Sequence, residues 1–164
     1  MAITFRALTD HEPGIIVRLL SDAYAFDPRY QELHGASWQD SDDFFFAHPQ
    51  IADACCFVTA DGDEPIGVVM WDPRQLPESV EIGHNGIVAT RKGSGYGRLQ
   101  LLEALARIRS LGARRIVVTT DDGLVPAQRM YESAGFVRAR VRRNDDPADF
   151  VDEHLDYVLD VAQR

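Results

Sequence analysis

The segment Lys92-Gly93-Ser94-Gly95-Tyr96-Gly97 constrains this chain more than any other. It follows an extended run from Val80 to Val88, and it precedes a segment in which Leu101, Leu105 and Ile108 recur at helical spacing with Leu102 on the same face. A strand must therefore hand over to a helix across a glycine-rich turn. Such a turn presents backbone N–H groups at the positive end of the helix dipole, where phosphate oxygens are held well, and glycines let the backbone come close to an anion. A tight strand-to-helix connection without any ligand uses the same residues. Lys92 and Arg98, which flank the turn, favour the anion.

Charge is concentrated around that turn. The 164-residue chain carries a net charge of −9, yet residues 1–90 hold 4 basic and 15 acidic side chains, whereas residues 91–115 hold 7 basic ones against Glu103 alone. Nucleic-acid binders spread positive charge over a domain, so this pattern argues against that class and for one localised anion site. For Arg107 and Arg109 the simpler reading is solvation of an outer helix face. No apolar run reaches the roughly 20 residues of a membrane span, and Met1-Ala2-Ile3-Thr4-Phe5-Arg6 reads as a strand rather than a secretory signal. A cytoplasmic chain with no membrane partner is expected. Cys55 and Cys56 are adjacent and would project to opposite faces of an extended segment; the five histidines lack ligand spacing. Neither a disulfide framework nor a metal is expected.

One domain spanning residues 1–164 suits this length. Ile3 to Leu8 reads as a strand, followed by an amphipathic helix from about Glu12 to Asp22. Phe26 to Pro49, with Asp27-Pro28 and the acidic, aromatic run Asp40 to Phe46, reads as one or two short helices. Cys55 to Ala60 and Pro65 to Trp71 form a hairpin about a glycine-containing turn. Beyond the glycine turn, Ile116 to Thr120, Pro126 to Ala134, Phe136 to Val141 and Glu153 to Val161 alternate as strand, helix, strand, strand. The fold class is α/β (α+β), with a mixed, largely antiparallel central sheet of about six or seven strands and helices on both faces.

No GxxxxGK[ST] is present, and the turn falls mid-chain after an apparently antiparallel sheet, which disfavours ATP and NAD. Lys92 to Gly97 instead resembles the pyrophosphate loop of the GNAT superfamily of N-acetyltransferases: Arg or Gln, two residues, Gly, one residue, Gly or Ala. Gly95-Tyr96-Gly97 matches the second half. Lys92 departs from the first position, where Arg91 is a substitute. Tyr131-Glu132-Ser133-Ala134-Gly135-Phe136 resembles the superfamily's Tyr-x-x-x-Gly-Phe signature. The Asn that often stands seven residues before that tyrosine is Leu124 here, so this contact to the cofactor is either lost or supplied by another group, for which Gln128 is the candidate.

The resemblance implies acetyl transfer from acetyl-CoA to a primary amine of a small molecule or peptide, by direct attack in a ternary complex. The alternative is a non-catalytic acyl-CoA-binding module. Glu81, 14 residues before Gly95, is the first choice as general base, with His84 as the other base or relay. Strict alternation puts Glu81 and Asn85 on one face and His84 on the other, unless a bulge intervenes. The resemblance makes Tyr131 the acid for the thiolate. It gives the N–H groups near Asn85 and Ile87 to the thioester carbonyl, and Ile87, Val88 and Ala89 to the pantetheine arm. Lys92, Gly93, Ser94, Gly95, Tyr96, Gly97 and Arg98 fall to the phosphates. A homodimer stays open.

Overall fold

The computed structural model describes residues 2–161. Seven strands hydrogen-bond in the order β1-β2-β3-β4-β5-β7-β6, and five α-helices accompany them. Strands β1–β2, β2–β3, β5–β7 and β6–β7 pair antiparallel and β4–β5 parallel, so the sheet is mixed and largely antiparallel as expected. The chain divides into two compact units, Met1–Trp71 with His84–Leu101, and Asp72–Gly83 with Leu102–Arg164.

The first unit opens with β1 (Ile3–Arg6), which pairs Ile3 with Asp61, and a 3-10 turn at Leu8–Asp10. Helix α1 (Ile15–Ala23) starts three residues later than expected because Gly14, at φ 97°, stands as its N-cap. It buries Ile15, Ile16, Leu19, Leu20 and Ala23. Where one or two short helices were expected, α2 runs unbroken from Pro28 to Ala47. Asp27 caps it by accepting from Arg29 N, proline takes its first position, and Pro49 stops it and opens α3 (Pro49–Cys55). The acidic, aromatic run Asp40 to Phe46 that suggested a break is carried within the helix by burial of Tyr30, Trp38 and Phe45. Cys55 consequently ends a helix while Cys56 begins a strand, and both residues are buried, so the extended geometry expected for the pair does not hold. Strands β2 (Cys56–Asp61) and β3 (Glu64–Asp72) form the expected hairpin, its turn made possible by Gly62 at φ 61°.

Strand β4 (Val80–Ile87) runs from the second unit into the first. Val80 and Ile82 are buried, and so is Ile87, at an odd spacing. Helix α4 (Tyr96–Ser110) follows the glycine turn. It buries Leu101, Ala104, Leu105 and Ile108, whereas Leu102, expected on that face, is 41% exposed.

In the second unit, β4 aligns Val80 with Ile116 of β5 (Arg115–Asp121). Helix α5 (Val125–Ser133) leads to β6 (Val137–Arg143), which pairs with β7 (Glu153–Asp160).

Candidate active site

In the first unit, the turn opens α4 through two glycines in the left-handed region, Gly93 at φ 80° and Gly95 at φ 85°. A Cβ built at either would meet nothing within 4 Å, so the glycines are demanded by backbone conformation and border open space. Leu99 N makes the bond to Gly95 O, 3.1 Å, that starts the helical ladder, so the N–H groups of Tyr96 and Gly97 lie ahead of it. That combination fits an anionic oxygen cluster such as a pyrophosphate. Ser94 lies exposed within the turn.

The cations beside the turn have partners of their own in the first unit. The Lys92 ammonium donates to Ala23 O at the C-terminal end of α1 and lies 4.6 Å from the centre of the Phe26 ring. Desolvation holds its pKa below the usual lysine value. Arg91 donates to Asp61 at 2.7 Å and Glu64 at 2.6 Å, so its guanidinium clips the β2–β3 hairpin. Arg98 is exposed.

On the same unit's part of β4, His84 Nε2 lies 3.1 Å from Ser37 Oγ of α2. Burial, with His34 adding its charge, pushes the imidazole down to about 4, so the ring is neutral near pH 7. Asn85 turns to α4, where its Oδ1 accepts from Gln100 Nε2 at 2.7 Å. Val88 N donates to Ile66 O at 2.8 Å and Ala89 N to Asp22 Oδ1 at 2.7 Å; these two N–H groups are thus bonded within the protein. Gln100, absent from the residues expected from sequence, is fully buried and joins β2, β3 and β4. Its legible signal is an amide on the apolar stripe of α4, at i−4 from Ala104 and i−8 from Ile108.

In the second unit, Glu81 is exposed on β4 beside Val117, and the Arg142 guanidinium feels its charge. Arg142 also binds Asp156 at 2.7 Å, which holds that carboxyl below the usual aspartate value. Tyr131 is buried on α5, edge-on to Phe136 with ring centres 5.6 Å apart and 6.1 Å from the Tyr157 ring. Gln128 gives its amide to Asp121 O, 3.0 Å, and Asp122 O, 3.3 Å, and accepts from Arg138 at 3.1 Å. Its amide braces the loop into α5.

The model of the acetyltransferase (GNAT) family matches residues 18–136, well over half of the chain. The chain belongs to the GNAT family. Among curated relatives, it is 31% identical over 144 residues to a mycothiol acetyltransferase of Geodermatophilus obscurus, covering 84% of this chain but 44% of that protein. A mycothiol acetyltransferase of Corynebacterium glutamicum is 33% identical over 79 residues, 48% of this chain and 27% of that protein. The chain thus spans less than half the length of these relatives. Among solved structures, the ribosomal-protein-S18-alanine N-acetyltransferase of Escherichia coli superposes with a TM-score of 0.76 at 17% identity, covering 99% and 96% of the two chains. A GNAT family acetyltransferase of Elizabethkingia anophelis with acetyl-CoA bound gives 0.69 at 15% identity, covering 97% and 98%. At such identities these two structures speak for the fold. Among the described residues no helix is long and apolar enough to cross a membrane.

Proposed function

We propose that this chain transfers the acetyl group of acetyl-CoA to a primary amine. The observation that carries the reading is the glycine turn: two left-handed glycines bordering open space, followed by helix N–H groups ahead of the first ladder bond, in a chain of the GNAT family. Gly93 to Arg98 hold the pyrophosphate through main-chain N–H groups, and bound acetyl-CoA supplies the activated acetyl group. With the Lys92 ammonium drawn to Ala23 O and Phe26, most of the phosphate interaction falls to the backbone. The N–H groups of Val88 and Ala89 have partners already, so the pantetheine arm meets β4 chiefly through Asn85 to Ile87.

The acceptor amine must lose a proton. Its reference pKa is about 10, so a nearby base is required at neutral pH. Glu81 is the base: it is an exposed carboxylate on β4, and its charge also attracts an ammonium. His84, neutral and hydrogen-bonded to Ser37, serves as a relay in the same proton path. Tyr131 donates to the departing thiolate; a phenol with a reference pKa near 10 suits that proton.

The deciding experiment measures thiol release from acetyl-CoA with a panel of acceptors. The panel includes small-molecule amines, the acceptor of the mycothiol acetyltransferases, and peptides that include the N-terminus of ribosomal protein S18. Turnover above acetyl-CoA hydrolysis with at least one amine is expected. The second reading, an acyl-CoA-binding module without chemistry, draws on the diversion of Lys92 from the turn. A CoA-induced rise in Tm with no turnover on any amine selects it, and no rise at all defeats both readings.

A further inference from the structure

We infer that Gln100 is a positioning residue, whose buried amide holds Asn85 and the Gly86 peptide of β4 where acetyl transfer needs them. This deepens the acetyltransferase reading and rests on it.

Gln100 is 0% exposed on a helix face otherwise made of Leu101, Ala104, Leu105 and Ile108. A buried amide is costly unless its donors and acceptor are all matched, so a leucine would be the default at this position. The match here is specific. Thr59 Oγ1 donates to Gln100 Oε1 at 2.7 Å, and the opposite end of the amide must carry nitrogen because two main-chain carbonyls, which can only accept, face it. Nε2 then faces three acceptors: Asn85 Oδ1 at 2.7 Å, Val68 O at 3.0 Å and Gly86 O at 3.3 Å. One side chain thus ties a hydroxyl of β2 and a carbonyl of β3 to two consecutive residues of β4.

Two glycines make room for the clamp. A Cβ on Gly67 would lie 2.5 Å from Gln100 Oε1 and 2.8 Å from Gly86 O. A Cβ on Gly86 would lie 3.0 Å from Ala23 Cβ and 3.2 Å from Leu20 Cδ2 of α1. The Gly86 peptide is therefore gripped by the α4 amide and backed by α1. Packing α4 on the sheet needs only apolar contact, whereas an amide with one allowed orientation sets the position of particular main-chain groups. Asn85 to Ile87 are the groups assigned to the thioester, and a displacement of about 1 Å in such groups costs on the order of a hundredfold in rate.

The test compares wild type with Gln100→Leu, Gln100→Glu and Thr59→Val in the full chain, by Tm, by amide hydrogen exchange over residues 83–90, and by kcat and KM for acetyl-CoA. Variants that melt within a few degrees of wild type should lose about tenfold or more in kcat, with KM changed less than about threefold, and should exchange faster at 83–90. Gln100→Glu should recover kcat relative to wild type as pH falls, because only a protonated carboxyl donates to Asn85 Oδ1 in its present orientation. Wild-type kcat and exchange in a folded Thr59→Val or Gln100→Leu would overturn the inference. If Gln100→Leu does not fold, Thr59→Val and Gln100→Glu decide by the same readouts. If wild type releases no thiol with any amine, the acetyltransferase reading fails by itself, and exchange at 83–90 decides whether Gln100 holds the strand.

Discussion

Loss of the Asp42 carboxylate should be costly to this fold. Its carboxylate on α2 is 1% exposed and accepts from Gly14 N at 2.8 Å and Ile16 N at 2.9 Å, so it caps α1 from a neighbouring helix. Gly14, the N-cap, has no side chain to do this itself. Asp42→Ala removes two charge-assisted bonds, each worth about 1.5–3 kcal/mol, and strands two N–H groups at a helix terminus away from water. Partial rescue by water and relaxation lowers the sum, giving an expected loss of about 3–4 kcal/mol. For a chain of this length that corresponds to a fall in Tm of roughly 10 °C. Asp42→Asn keeps one acceptor oxygen without the charge and should lose about half as much. Thermal and urea unfolding followed by circular dichroism measure both, with Asp43→Ala, whose exposed carboxylate accepts from Gln39, as the surface control expected within about 0.5 kcal/mol of wild type. An Asp42→Ala protein within about 1 kcal/mol of wild type would refute the capping argument.

Other outcomes follow from the same geometry. Glu81→Gln should slow turnover by about a hundredfold, most at low pH, and an unchanged pH–rate profile would move the base to His84. Tyr131→Phe should reduce kcat while leaving acetyl-CoA affinity, read by thermal shift, nearly intact; a wild-type kcat removes the phenol as acid. Gly67→Ala should destabilise by about 1–3 kcal/mol in urea unfolding, because its methyl would overlap Gln100 and Gly86. His84 titrates near 4 in the folded chain and near 6.5 unfolded, so the unfolded chain binds the extra proton in that window. Its stabilising contribution is full above about pH 6.5 and is lost as pH falls towards 4. His84→Gln should flatten the decline of the urea midpoint across that range, and an unaltered slope would show the imidazole is not held neutral.

Local rules in the sequence determined the strand–turn–helix unit at Val80 to Ser110, since backbone conformation at Gly93 and Gly95 and the spacing of Leu101, Leu105 and Ile108 need no distant partner. The β2–β3 hairpin and the Tyr131 to Phe136 helix end were legible for the same reason. Helix α2 was not. The acidic, aromatic run Asp40 to Phe46 is carried within it by Tyr30, Trp38 and Phe45 finding a core, and burial against distant residues leaves no local signature. The site divides the same way. Turn glycines announce themselves, but whether a charged side chain serves the turn depends on what else it can reach. Lys92 is drawn to the carbonyl end of α1 and to Phe26, and Arg91 to Asp61 and Glu64. Only the folded chain brings Thr59, Val68, Asn85 and Gly86 around Gln100, because hydrogen-bond complementarity between residues up to 41 positions apart is a property of packing rather than of sequence order.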